Sequence, residues 1–148
     1  MKKINCSVLI IAQNAEKTIK RTLETLVDFQ EVIVIDGGSE DLTKQVVESF
    51  PNTQFIYNPW PGFIEQRNFS VKKATSPWCF MIDADEALTP SLKDEIIKIV
   101  DKPIDETLPI YRIMRTEYFL GEEVKGKFGG ASWQLRLFQT DRVKYTGG

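Results

Sequence analysis

Trp78-Cys79-Phe80-Met81-Ile82-Asp83-Ala84-Asp85-Glu86 is an apolar run that breaks abruptly into acid. A short continuous apolar run of this kind reads as a buried strand. The acids therefore land where a strand leaves the core. Open α/β sheets bind ligands at the carboxyl ends of their strands. Carboxylate oxygens are hard donors, suited to Mg²⁺ or Mn²⁺ and, through such an ion, to phosphate. Asp83 and Asp85 are thus a candidate metal and diphosphate site. The plainer alternative is a surface turn that caps the helix expected after Pro90.

The flanking sequence makes this strand one of a series. Residues 4–12 are apolar and β-rich, and 31–35 and 54–57 read as further strands. Helical spacing fills the gaps. It covers 15–27 (Ile19, Leu23, Leu26 and Val27 inward), 41–50 (Leu42, Val46 and Val47 inward) and 63–74. A fourth helix is expected over 90–100, with Leu92, Ile96, Ile97 and Val100 inward. Alternating strands and helices predict an α/β fold with a mostly parallel sheet covered on both faces. Right-handed crossovers then bring every strand's carboxyl end to one rim. Gln13-Asn14, 36–39 and 83–86 all fall on that rim. After Pro103 the character changes. Residues 110–114, 118–120 and 134–138 read as strands around a Gly-rich loop over 121–131, a mixed or antiparallel addition. The chain stops straight after it, at Gly147-Gly148, so a truncated domain is expected.

Composition narrows the chemistry. The chain has 148 residues and a formal net charge of −2. It is long enough for one domain with a core, and it lacks the basic excess that nucleic-acid binding requires. Histidine is absent, which removes His triads, His bases and His metal sites. Proton transfer falls to Asp, Glu, Tyr, Lys or water. Cys6 and Cys79 lie in apolar runs and read as buried free thiols in a reducing compartment. No apolar run approaches the ~20 residues that span a bilayer. The expected location is the cytoplasm, with room for peripheral contact at the inner membrane.

A nucleoside diphosphate sugar would suit this rim. Asp85 would bind a cation directly, and Asp83 would reach the ribose or a metal-bound water. Asp36 would accept from a base N–H or a sugar hydroxyl, with Gly37 and Gly38 allowing close backbone approach. The alternative there is an ordinary turn in which Ser39 or Asp41 caps the next helix. Gly62 with Gln66-Arg67-Asn68 is a third candidate, because the planar fork of Arg67 orients phosphate oxygens. Against it stands a solvated helix face with an Arg67–Glu65 contact. Trp133, Gln134 and Arg136 form an acceptor-side set, Trp133 to stack on a sugar or to pack, Arg136 to meet a phosphate. Leu135 and Leu137 read as core.

Four segments in order carry a resemblance: 7–14, 32–41, Gly62 with Gln66-Arg67-Asn68, and Ile82-Asp83-Ala84-Asp85-Glu86. Together they resemble family 2 glycosyltransferases and the nucleotide-binding half of the GT-A fold. Trp60-Pro61-Gly62-Phe63 and Gln134-Leu135-Arg136-Leu137-Phe138 are similar to the branch that includes lipopolysaccharide-core glycosyltransferases. The resemblance implies one Rossmann-like GT-A domain. Residues 1–102 would bind the nucleotide-sugar, and 103–148 would begin the acceptor-side half. It implies a Mg²⁺- or Mn²⁺-dependent inverting transfer to a glycan or lipid-linked acceptor in cell-envelope biosynthesis. Gln13, Asn14, Asp36, Gly62, Arg67, Asn68 and Asp83 would contact the donor, and Asp83 and Asp85 the metal. Ile11 and Gln13 stand where many members have proline and an aromatic, and Gly37 where a second acid is common. The catalytic base has no assigned position and is expected beyond Gly148. Glu117, Glu122 and Glu123 are acids of the right type but read as solvated. A sugar nucleotidyltransferase and a non-catalytic nucleotide-sugar-binding domain are the alternatives. The first would want a basic Gly-rich loop after strand one, where Gln13-Asn14-Ala15-Glu16 stands.

Overall fold

A computed structural model describes residues 2–125 and 130–147. Its main sheet has six strands: β1 (Ile4–Ala12), β2 (Phe29–Asp36), β3 (Thr53–Tyr57), β4 (Trp78–Met81), β5 (Ile110–Arg115) and β8 (Ser132–Gln139). Their order is β3-β2-β1-β4-β8-β5. The first four are parallel, and β8 runs antiparallel between β4 and β5. Four helices accompany them: α1 (Ile19–Glu24), α2 (Thr43–Glu48), α3 (Phe63–Lys73) and α4 (Pro90–Val100).

The strands bury both faces because their side chains alternate between two apolar layers. On one face Val8, Ile10, Val32 and Val34 pack with Ile19 and Leu23 of α1, Val47 of α2 and Ile96 of α4. On the other, Leu9, Ile33, Ile35, Met81 and Phe138 meet Phe69 and Val71 of α3. Full burial of each such side chain stabilises by roughly 1.5–3 kcal/mol. Cys6 and Cys79 are buried free thiols. Burial pushes the Cys79 thiol up to about 11, so it stays protonated and inert. Among the described residues no helix is long and apolar enough to cross a membrane.

Four expectations are corrected. The first helix is shorter than 15–27, so Val27 lies in the turn after it and is exposed. Leu42 is exposed as well, because α2 begins only at Thr43. Leu135 is not core. The β8 ladder with β4 covers Leu137 to Gln139, whereas Leu135 is paired with Arg112 of β5 alone and stays 48% exposed. The Gly-rich loop contains structure: β7 (Glu122–Glu123) lies within it and forms a hairpin with β6 (Tyr118–Phe119), which falls on the strand expected over 118–120. Leu120 and Gly121 both have positive φ at its tip, the requirement of a type I′ turn. Residues 126–129 of that expected loop lie outside the described residues.

Candidate functional site

Register brings the rim together. Ala12 pairs with Asp36, and Asp36 with Tyr57, so three strands end level. The loops leaving β1 and β2 are then zipped to each other. Asn14 donates its N–H to Ser39 Oγ (2.7 Å), and Asn14 Oδ1 accepts from the Glu40 N–H (2.9 Å). Farther out, Ala15 N–H donates to Thr43 Oγ1 (2.8 Å), and Leu42 N–H to Glu16 Oε2 (2.8 Å). The backbone at Asn14 is left-handed (φ 52°), which asparagine tolerates well.

Asp36 is only 2% exposed. Its Oδ2 accepts from the N–H groups of Gly38 (3.0 Å) and Ser39 (2.8 Å), and its Oδ1 from the Ser39 hydroxyl. This carboxylate builds the turn. Asp41 accepts the Thr43 N–H (2.9 Å) at the start of α2. Gly37 sits between Gln13 and Trp60. A Cβ there would lie 3.4 Å from both side chains.

The loop after β4 is organised differently. Thr89 caps α4 by accepting the Leu92 N–H, so neither Asp83 nor Asp85 is a helix cap. Glu86 Oε2 accepts the Asp83 N–H (2.8 Å) and folds the loop back on itself. Arg136 reaches in from β8. Its Nη1 and Nη2 each lie 3.4 Å from an oxygen of Asp83, Nη2 is 3.1 Å from Glu86 Oε1, and Nη1 donates to the Met81 carbonyl (3.3 Å). The Arg136 side chain is 10% exposed. Burial raises the Glu86 carboxyl above its ordinary value, an effect that the Asp83 N–H and Arg136 oppose. Asp85 projects from the turn as an exposed carboxylate.

Arg67 and Asn68 take different roles on α3. Gly62 opens the helix at φ 119°, where a Cβ would also approach Glu65 Oε2 to 2.6 Å, so only glycine fits. Asn68 exchanges two hydrogen bonds with the Tyr145 backbone, both 2.8 Å. Tyr145 packs edge-on against Phe138. The Arg67 guanidinium lies over the Phe63 and Tyr145 rings, 5.7 and 5.6 Å from their centroids. Among the described residues Arg67 forms no ion pair, with Glu65 or any other acid. Arg67, Trp133, Gln134 and Arg136 line one cavity of about 400 Å³ together with Arg112 and Tyr145. Glu117 pairs with Arg115 (2.7 Å) and Glu123 with Lys125 (3.7 Å), while Glu122 is exposed.

Sequence reasoning placed Glu86 on the rim but gave it no role, and it did not single out Arg112 or Tyr145. The contact of Glu86 with Arg136 and the place of Arg112 depend on the β4–β8 and β5–β8 pairings, for which the chain carries no local signal.

Among the described residues no three His, Cys, Asp or Glu side chains gather into a ready-made metal cage. An ion held by one or two carboxylates and completed by phosphate oxygens, the usual Mg²⁺ arrangement, needs no such cage. Asp85, exposed, and Asp83, with lone pairs beyond those facing Arg136, fit that donor set.

The glycosyl transferase family 2 model matches residues 7–146. The lipopolysaccharide core biosynthesis glycosyltransferase LpsC of Rhizobium meliloti is 31% identical over 147 residues, 97% of this chain and 54% of that protein. An uncharacterised glycosyltransferase of Rickettsia typhi is 31% identical over 139 residues, 93% of this chain and 47% of that protein. The chain therefore spans about half the length of these curated relatives. Among solved structures, S. aureus TarS 1-349 superposes with a TM-score of 0.61 at 20% identity, over 91% of this chain and 47% of TarS. The mostly parallel sheet with antiparallel strands at its carboxyl-terminal side is accordingly a GT-A fold. By the match across nearly its whole length, the chain belongs to glycosyl transferase family 2.

Proposed function

We propose that this chain binds a nucleoside diphosphate sugar at the rim of β1, β2 and β4, as the donor of an inverting glycosyl transfer in cell-envelope glycan synthesis. Residues 1–102 form the donor side, and 103–148 begin the acceptor side. The observation that carries the reading is the 83–86 loop: Asp83 is held by Arg136, and Asp85 is left outward with no capping duty. Asp85 and Asp83 would hold Mg²⁺ or Mn²⁺, which when bound offsets the charge of the leaving diphosphate. Asn14 and Asp36, which shape the loops after β1 and β2, would form the wall that meets the base, with Gln13 and the Gly37 backbone beside it and Gly62, at φ 119°, opening α3. An acceptor hydroxyl would approach from the β8 side, past Trp133 and Gln134. The base that takes its proton is expected outside the described residues, and the acceptor is a glycan or a lipid-linked glycan. The relatives' names support the cell-envelope setting. Binding of UDP-GlcNAc by TarS, 27% identical over 65% of this chain at a TM-score of 0.58, supports a nucleotide-sugar donor. The expected place of action is the cytoplasm, with peripheral contact at the inner membrane.

Calorimetric titration with a panel of nucleotide-sugars, with and without Mn²⁺, tests this. The expected result is metal-dependent binding that Asp85→Ala weakens by about tenfold or more, ~1.4 kcal/mol. Equal affinity with and without the ion would refute the reading.

A further inference from the structure

We propose that the cavity between α3, β8 and β5 is a subsite for an anionic group, a phosphate or carboxylate on a sugar ring, delivered by the acceptor. The inference rests on the donor reading at Asp85. It adds a substrate class that the donor reading leaves open.

Three arginines line this cavity, and among the described residues no acidic side chain does. Their charges are not equivalent. Arg136 is balanced by Asp83 and Glu86. Among the described residues Arg67 and Arg112 have no ion pair and donate no side-chain hydrogen bond. Two positive charges therefore face a space of about 400 Å³ without a counter-charge. That volume lies within the range of small-molecule sites.

Arg67, a donor contact by the family resemblance, is assigned here to the acceptor-side subsite because it lines the same cavity as Arg112 and Trp133, and it is preorganised. Its guanidinium lies over both the Phe63 and Tyr145 rings, and among the described residues its N–H groups donate no hydrogen bond. Ring contact of this kind restrains the guanidinium and leaves the donors that bind carboxylate or phosphate. Tyr145 is itself held by Asn68, so the stack is braced from below. Trp133, 61% exposed, and Tyr145 offer aromatic surface suited to a sugar ring.

The cavity lies toward the acceptor side. Its walls come from α3, β4, β8, β5 and Tyr145, and none from the loops after β1 and β2. It touches the acid loop only through Arg136, which holds Asp83. An anion in the cavity would thus sit beside the donor without displacing its diphosphate from Asp85.

Ligand-observed NMR titration of the full chain with glucose 6-phosphate, glucuronate and glucose tests the proposal. Each sugar is measured alone and with saturating UDP or GDP plus Mn²⁺. The two anionic sugars are expected to bind, glucose to bind far more weakly, and the nucleotide to leave their affinities within about twofold. Arg112 is exposed, so Arg112→Gln should fold normally. It should weaken the anionic sugars by about tenfold, the loss of one charged hydrogen bond, while nucleotide affinity is unchanged. Arg112→Lys should recover part of the loss. Equal binding of glucose would overturn the proposal, as would indifference to Arg112→Gln. Competition between nucleotide and anionic sugar would also overturn it and assign the cavity to the donor diphosphate. Anionic-sugar binding that persists where no nucleotide binds would leave this subsite standing and refute the donor reading instead.

Discussion

Two parts of one rim solve different problems with the same kinds of side chain. At the β1/β2 end, Asn14, Ser39, Glu16 and Asp41 are hydrogen-bonded across the two loops, and Asp36 is hydrogen-bonded within its own. Their polar groups satisfy backbone N–H groups that strand ends leave open. At the β4/β8 end, Arg136 holds Asp83 and Glu86, while Asp85 projects outward and Arg67 and Arg112 face a cavity. The polar groups of the first region hold its own loops, and the second keeps charge available. A rim acid is therefore not by itself a ligand-binding acid. What it already holds decides.

The sharpest way to break this contrast is to remove the cation that organises the second region. Arg136→Met keeps much of the apolar stem but strands Asp83 and half-buried Glu86 against each other. Losing the cation from this partly buried cluster, in which Glu86 is 20% and Asp83 44% exposed, is expected to lower unfolding free energy in urea by about 2–3 kcal/mol, less than at a fully buried pair. A loss below about 0.5 kcal/mol, the range of an ordinary surface change, would mean the triad is incidental. Asp36→Ala should come next, at about 2 kcal/mol, because the half-buried Gly38 and Ser39 N–H groups lose the buried carboxylate that accepts from them. Asn68→Ala should cost about 1 kcal/mol and raise the hydrogen-exchange rate at the Tyr145 amide. Asp85→Ala should leave urea stability within about 0.5 kcal/mol of the parent, despite its large expected effect on nucleotide-sugar affinity. An Asp85 variant as unstable as the Asp36 one would erase the distinction between the two regions.

The smallest effect is a pH dependence of the zipper between the first two loops. Desolvation tends to raise the Asp41 carboxyl, but hydrogen bonds from Thr43 and Glu16 outweigh it and hold the group below its ordinary value. A depressed carboxylate contributes stability above its unfolded pKa and loses it as pH falls through the folded one. Exchange protection of the Thr43 and Glu16 amides should therefore hold at neutral pH and decline only in acid, below the usual carboxylate range.

Much of this architecture is legible along the chain. Pro90 at N1 with Thr89 before it marks α4 at its observed start. The 78–82 run and its acids place the end of β4 to within one residue, because a buried strand must be apolar on both sides and the rim cannot be. Periodicity was least informative at segment ends. It carried Leu42 and Val27 inward although the helices do not reach them. Leu135 illustrates a different limit. Its neighbour Leu137 is buried and has the same alternation, but burial depends on how far β4 runs alongside.

The sequence by itself determined the alternation of strands and helices, the family, and the chemical character of the rim: acids and amides at the strand ends, with no histidine. These arise from local pattern and composition. Only the tertiary structure decided which of those groups are already occupied. Arg136 and Asp83 are 53 residues apart, and Asn68 and Tyr145 are 77. Hydrogen bonds and ion pairs form over a few ångströms, so such partners are set by strand order and register, which no local stretch of sequence encodes.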